Sequence, residues 1–155
     1  MTLSSATLPP VRRVVTALDE AGRSCVLIDG PLREFGGGGY AWHTASVPAD
    51  NSVREDAAPG AFSYDLFHGG GSNFFVIDLA PGERSSTHAT DTIDYIVMMA
   101  GEVTLELEAG EVRLRAGDLV TDRGVIHAWR NDGPQPARYA VVTLPAHPVG
   151  AGRTV

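Results

Sequence analysis

The chain has 155 residues, the usual length of one globular domain, and its 43% apolar and 20% charged residues are typical of a folded protein. Twelve basic residues against nineteen acidic ones give a net charge of −7. This balance disfavours a nucleic acid or an anionic membrane as a partner, because the long-range field would repel either. The single cysteine, Cys25, cannot form an intrachain disulfide.

The distribution of apolar residues and turn residues indicates both location and fold class. The longest apolar run is too short to cross a bilayer, and the N-terminal stretch lacks the apolar run of a secretion signal, so we expect a cytoplasmic location. Eighteen glycines and ten prolines interrupt the sequence often, as short strands joined by tight turns require. The composition therefore favours an all-β fold.

Residues 1–72 are predicted to form an arm, strands and loops that pack on a barrel made by residues 73–147. Residues 1–10 are typical of a loose arm, and the runs VRRVVTAL and SCVLIDG predict two strands. The four glycines at 36–39 predict a mobile or tightly turning loop, because no Lys-Ser/Thr follows them as in a phosphate loop. Residues 46–72, including the glycines at 69–71, are predicted to be loops that form a flap.

Six strand-length runs follow from residue 73, each closed by Gly, Pro, Asn or Asp. They are NFFVIDL, YIVMMAG, EVTLELE, EVRLRAGDLVT, VIHAWRN and ARYAVVTL. So many strands in about seventy residues predict an antiparallel sandwich or barrel.

The register of one hairpin can be predicted from its alternation of apolar and polar residues. A turn at Ala109-Gly110 sets Leu107 opposite Val112 and Leu105 opposite Leu114. The same register places Glu106 opposite Arg113, a charge pair that stabilises a strand pair.

The run from Tyr95 to Ala100 does not alternate, which is typical of a strand covered on both faces. The N-terminal strands or a second subunit could supply the outer cover. Of these two, we expect a homodimer.

Five residues, Gly82, His88, Thr90, Asp94 and Gly101, stand at the spacing G-x5-H-x-T-x3-D-x6-G. The later stretch GDLVTDRGVIHAWRN places an Asn four residues after its histidine. This pair of motifs resembles the signature of the cupin superfamily, whose first motif is G-x5-H-x-H-x3-4-E-x6-G. The resemblance covers residues 73–144 and implies an antiparallel double-stranded β-helix, or jelly-roll barrel, with extra N-terminal strands.

The resemblance also implies where a site would lie. Metal-binding cupins use both histidines and the glutamate of the first motif with the histidine of the second, and here those positions are His88, Thr90, Asp94 and His127. One imidazole is therefore replaced by a hydroxyl, and the carboxylate is one methylene shorter. The second motif is one residue short as well, so the turn that presents His127 must differ.

Strand geometry independently groups these side chains. His88, Thr90 and Asp94 share parity, so a regular strand projects them to one face, and His127 and Trp129 share a face of a later strand. In a closed barrel such faces converge inside. Within and beyond this set, Thr90, Trp129 and the loop residue His43 are the candidates for contacting a substrate.

Three functions are compatible with this set. Two histidines and one carboxylate, His88, Asp94 and His127, could bind one divalent metal, Fe, Mn or Zn, as in non-haem iron oxygenases. Without a metal, the same residues could catalyse dehydration or tautomerisation of a small oxygenated metabolite by acid/base chemistry, as a lyase or isomerase. A cupin could also bind a small molecule without transforming it. The acid/base hypothesis is preferred, because it explains the missing ligand.

Overall fold

The computed structural model describes residues 7–155 as eleven β-strands and one short 3-10 helix. The strands are β1 (Arg12–Leu18), β2 (Ser24–Pro31), β3 (Arg33–Phe35), β4 (Gly38–His43), β5 (Asn73–Leu79), β6 (Thr92–Ala100), β7 (Glu102–Leu107), β8 (Gly110–Arg115), β9 (Leu119–Asp122), β10 (His127–Arg130) and β11 (Ala137–Pro145). The helix spans Tyr64–His68. Within residues 7–155 no helix has the length and apolarity needed to span a bilayer.

Two antiparallel sheets enclose the core. One has six strands in the order β3-β4-β5-β11-β6-β9, and the other has three in the order β10-β7-β8. Residues 84–88 extend the smaller sheet beside β10 through two isolated bridges, Arg84 with Arg130 and His88 with His127. The inner faces bury apolar side chains of both sheets, including Ile96, Met98, Val103, Leu105, Trp129 and Val141. The predicted all-β double-stranded β-helix is confirmed.

Five of the six predicted runs from residue 73 each contain one strand, and the run EVRLRAGDLVT contains two. Strand β8 belongs to the three-stranded sheet and β9 to the six-stranded sheet. The chain turns between them at Gly117, whose φ of +93° favours glycine. Asp118 stabilises the turn by accepting a hydrogen bond from the Arg115 amide at 2.9 Å. The Gly117-Asp118 pair within the run EVRLRAGDLVT marks this crossing, which the prediction of a single strand passed over.

The hairpin register predicted from the sequence is wrong by two residues. Leu105 lies opposite Val112 and Leu107 opposite Gly110, so the turn residues are Glu108 and Ala109. A shift of two preserves which side chains share a face, which is why the alternation could not distinguish the two registers. The charge pairs change accordingly, because Arg113 pairs with Glu102 at 3.2 Å.

The N-terminal region is more closely integrated than predicted. The hairpin of β1 and β2 is confirmed, and the glycine run makes a tight turn, with Phe35 opposite Gly38. Strand β4 then pairs with β5, so this region supplies two strands of the six-stranded sheet instead of only packing on it. Gly38 is required there, because a Cβ at this position would lie 2.1 Å from the Val76 carbonyl oxygen. Of the arm predicted for residues 1–10, residues 1–6 lie outside the described part.

The outer face of β6 is uncovered in the single chain. Burial alternates along the strand, and the outward side chains of Tyr95, Val97 and Met99 are 47%, 43% and 45% exposed. Within residues 7–155 the N-terminal strands do not provide the second layer that the unbroken apolar run predicts. A homodimer stays a prediction.

Candidate functional site

A cavity of about 380 Å³ lies between the two sheets. Its polar end contains three of the residues singled out in the sequence, His88, Asp94 and His127. All three are buried, with residue exposures of 8%, 8% and 4%. The two motifs therefore converge on one cavity, but His88 lies before β6 and pairs with His127, so His88 and Asp94 do not share the regular strand that the parity argument assumed.

Backbone pairing fixes the two imidazoles side by side. The amide of His88 donates to the carbonyl of His127 at 3.0 Å, and the amide of His127 donates to the carbonyl of His88 at 3.0 Å. Residues paired in this way project side chains to the same face of a sheet. The two rings consequently lie with their centroids 4.5 Å apart.

The environment of His127 favours its charged form. Its Nδ1 lies 2.9 Å from the Val125 carbonyl oxygen and 3.0 Å from Oδ2 of Asp122. The single Nδ1–H of the ring lies between these two acceptors. Asp122 therefore stabilises the imidazolium of His127 through its negative charge as well as through a shared hydrogen bond. Burial lowers the pKa of His127, but Asp122, the Val125 carbonyl and the charge of Asp94 together outweigh it, so the pKa lies above 6.5.

The environment of His88 has the opposite effect. Its Nδ1 donates to the Ser86 carbonyl at 2.9 Å, which leaves the lone pair of the neutral ring on Nε2. Burial is the largest influence and lowers the pKa of His88 below 6.5, and the charge of His127 lowers it further. The Tyr64 ring covers it at a centroid distance of 5.0 Å. Two neighbouring imidazoles are thus biased towards different protonation states.

Asp94 ends a chain of hydroxyl hydrogen bonds. Thr90 and Thr92 share a hydrogen bond of 2.7 Å between their Oγ1 atoms, and Thr92 Oγ1 donates to Asp94 Oδ1 at 2.7 Å. Burial raises the pKa of Asp94 to about 6, against the hydrogen bond from Thr92, which lowers it. The charge of Asp122, opposite Asp94 on β9, raises the pKa further.

The three candidates for substrate contact differ in position. Trp129 lines the cavity and stacks on Tyr139 at a centroid distance of 4.7 Å. Thr90 is 3% exposed and contacts Asp94 through Thr92 instead of lining the cavity. His43 lies away from the cavity, and its Nδ1 forms a hydrogen bond of 2.9 Å with Asn73 Oδ1. The structure therefore supports a ligand contact for Trp129, an indirect role for Thr90 and no contact for His43.

The residues proposed as metal ligands do not form a metal centre in this arrangement. Across residues 7–155, no group of three or more His, Cys, Asp or Glu side chains is arranged to hold an ion. Asp94 accepts a hydrogen bond from Thr92, and this carboxylate and the two imidazoles are not grouped as ligands of one ion.

Two features of the site were not predicted from the sequence. Asp122 lies five residues before His127 at the end of β9, and its side chain is 3% exposed. Only the pairing of β6 with β9, which sets Asp94 opposite Asp122, could have pointed to it. The second feature is the aromatic cover from the predicted flap, Phe62, Tyr64 and Phe67, which lines the cavity around the short helix.

A double-stranded β-helix with histidines from two strand motifs at the end of its internal cavity defines the cupin class of small-molecule proteins. Residues 75–143 match the family model described as the Cupin domain, and this match supports membership of the cupin superfamily. A Cupin 2 conserved barrel domain protein from Salinispora arenicola is 22% identical, with a TM-score of 0.45, over 48% of this chain and 64% of that one.

Curated relatives come from fungi. Phomopsin biosynthesis cluster protein D of Diaporthe leptostromiformis is 42% identical over 70% of this chain and 61% of its own length. A cupin-domain-containing oxidoreductase of Neurospora crassa is 40% identical over 48% of this chain and 39% of its own length. The chain spans about half the length of the curated relatives it matches. These similarities support a cupin-type small-molecule enzyme or binding protein.

Proposed function

We propose that this protein is an acid/base enzyme, a lyase or isomerase, that moves a proton on a small oxygenated metabolite. The observation that carries the proposal is the pair of buried imidazoles, 4.5 Å apart, at the end of a cavity. Adjacent titratable groups whose surroundings push their pKa values apart are the usual sign of a catalytic acid and base.

The catalytic roles of His88 and His127 follow from which nitrogen of each ring already forms a hydrogen bond. In each ring Nδ1 is held by a backbone carbonyl, so Nε2 is the nitrogen left for a ligand. Neutral His88 removes a proton from carbon next to a carbonyl group, and the C–H electron pair forms the C=C bond of an enol. Charged His127 gives its Nε2 proton to the carbonyl oxygen, and Asp122 stabilises the imidazolium before transfer.

The enol then has two outcomes. If the enol is conjugated with a second C=C bond, His88 returns its proton to the far carbon of the dienol, the enol oxygen gives its proton back to His127, and the product is an isomer. If the carbon next to the C=C bond carries a hydroxyl, that hydroxyl takes the proton from His88 and leaves as water, the enol oxygen returns its proton to His127, and an α,β-unsaturated carbonyl compound forms. Neither outcome changes the oxidation state of the protein, so no co-reactant is required. Asp94, whose pKa is about 6, adds negative charge beside His127 when it is ionised.

Solvent exchange tests this proposal without knowledge of the natural substrate. Cyclohexanone, acetophenone and 2-tetralone are incubated with the protein in D₂O, and loss of their α-hydrogen signals is followed by NMR. We expect faster exchange for at least one ketone, abolished by His88→Gln and strongly slowed by His127→Gln. His147→Gln, at an exposed histidine, is the matched control and should exchange at the unmodified rate. No acceleration for any ketone would contradict the proposal.

An oxidoreductase is the second candidate function, supported by the similarity to two cupin-domain-containing oxidoreductases of Neurospora crassa. It would require a divalent metal or another redox group. Metal content of protein purified without an affinity tag, before and after dialysis against a chelator, tests it. A near-stoichiometric metal that dissociates slowly would favour this candidate and would make His88, Asp94 and His127 ligands.

The proposed assembly is a homodimer formed through the outer face of the six-stranded sheet. The outer face of this sheet carries five apolar side chains on strands β5, β6 and β9 that are between 43% and 75% exposed, and water solvates such a surface poorly: Phe74, Tyr95, Val97, Met99 and Leu119. A cytoplasmic location stays a prediction from the sequence.

A further inference from the structure

The wall of the cavity is unusually rich in rings. A continuous path runs from Tyr64 to His88 at 5.0 Å, on to His127 at 4.5 Å, and then to Trp129 at 6.1 Å. Trp129 in turn stacks on Tyr139. The two imidazoles that would transfer protons are therefore part of an aromatic surface.

A second group of lining rings adjoins the first, because Tyr64 packs against Phe62 at 5.1 Å and against Phe67 at 5.5 Å. Phe62 packs against Phe35, Phe67 and Phe75 with centroid distances of 5.5, 5.7 and 6.0 Å. All four line the cavity. Such separations are those at which rings attract one another beyond their area burial. A planar ring bound in the cavity against this aromatic lining would gain the same contacts.

The carboxylates that line the cavity make it unfavourable for anionic ligands. The carboxylates of Asp78, Glu83 and Asp94 line the cavity, and among the lining residues Arg84 carries the only positive side chain of the Lys/Arg type. Its guanidinium donates to Glu106 at 2.8 Å, to the Ser85 carbonyl at 3.0 Å and to Thr87 Oγ1 at 3.1 Å. It is thus already satisfied. A phosphate or second carboxylate entering this space would lose water and meet the lining carboxylates, and the imidazolium of His127 would be, among the described lining residues, the one cation left to offset that cost.

From these two observations we infer that the ligand is an uncharged, planar compound, a hydroxy- or keto-substituted aromatic, and not a sugar phosphate or another polyanion. The volume of about 380 Å³ lies within the range of small-molecule sites and accommodates fused rings. The oxygen substituent lies at the His88 and His127 end, and the rings occupy the aromatic part. The inference rests on the proposed function for its site and specifies its substrate class.

Three matched probes test it: 2-naphthol, decahydro-2-naphthol and 2-naphthyl phosphate. Binding is followed by the indole N–H NMR signal of Trp129, which is one of two tryptophans and is assigned with Trp42→Phe. We expect saturable binding of 2-naphthol, binding about threefold to tenfold weaker for the saturated analogue, and binding weaker by about tenfold or more for the phosphate. Tighter binding of the phosphate, or equal binding of all three, would overturn the inference.

Two phenylalanine variants locate the bound ring. Phe62→Ala removes a lining ring and should weaken 2-naphthol binding by about threefold to tenfold. Phe74→Ala removes a ring that is 46% exposed on the outer face, and it should leave binding within about twofold. Equal effects of the two substitutions would contradict placement of the ring in the cavity.

The outcomes separate this inference from the proposed function. Binding of 2-naphthol with no exchange of any ketone would leave the ligand class intact and overturn the catalytic role. Exchange of cyclohexanone without binding of 2-naphthol would support the catalytic role and overturn the aromatic ligand class.

Discussion

Replacing Asp94 by Asn should stabilise the protein in a pH-dependent way. The buried carboxyl has its pKa raised from 3.8 to about 6, chiefly by desolvation. A raised carboxyl pKa contributes stability that is complete below the unfolded value of 3.8 and is lost as the pH rises through about 6. The residue is 8% exposed, so solvent screening reduces this contribution little.

The magnitude follows from the size of the shift. About two pKa units at about 1.4 kcal/mol each give about 3 kcal/mol of destabilisation once the carboxyl ionises. Asn cannot ionise, so the free energy of unfolding of the variant relative to the unmodified protein should rise by about 3 kcal/mol between about pH 4 and about pH 8. For a chain of this size, that corresponds to about 6–12 °C in Tm.

Urea unfolding at several pH values across that window measures the difference. Asp65→Asn, at an exposed carboxylate of the short helix, is the matched control and should show no comparable pH dependence. Any constant cost of the Asn side chain cancels in the comparison across pH. A variant whose advantage does not grow between acid and alkaline pH would refute the assigned ionisation of Asp94.

Two further substitutions test other parts of the structure. Val97→Arg places a charge in the apolar outer face and should convert a homodimer to a monomer in light scattering after size exclusion; a dimer that persists would place the interface elsewhere. Gly101→Ala should lower the free energy of unfolding by about 2 kcal/mol or more, because φ is +68° and a Cβ would lie 2.5 Å from the Pro136 carbonyl oxygen. Gly117→Ala, at a position with φ +93° but open space around it, should lower the free energy of unfolding by less. Equal losses of stability in the two variants would mean that the close contact at Gly101 is relieved by movement of the backbone.

Much of the site could be predicted from the sequence because its signals are local. The two motifs supply His88, Asp94, His127 and Trp129 to the same cavity. The period of two along β10 accounts for His127 and Trp129, whereas His88 precedes β6 and pairs with His127, so its approach to Asp94 does not follow from parity along one strand.

The features that were not predicted depend on turns and loops that have no repeating pattern. Asp122 reaches His127 only because β9 ends beside the turn that begins β10, and no periodicity encodes that approach. The flap contributes Tyr64 to the site through a helical turn with no repeating pattern. The hairpin register failed for another reason, since a slip of two residues leaves every side chain on its predicted face.

The central claim is that two neighbouring histidines are held in opposite protonation states. NMR titration of the imidazole carbon-bound hydrogens, assigned with His88→Gln and His127→Gln, measures this most directly. The account predicts that the pKa of His127 lies above 6.5 and the pKa of His88 lies below it. Equal pKa values for the two rings, or the reverse order, would contradict the acid/base assignment.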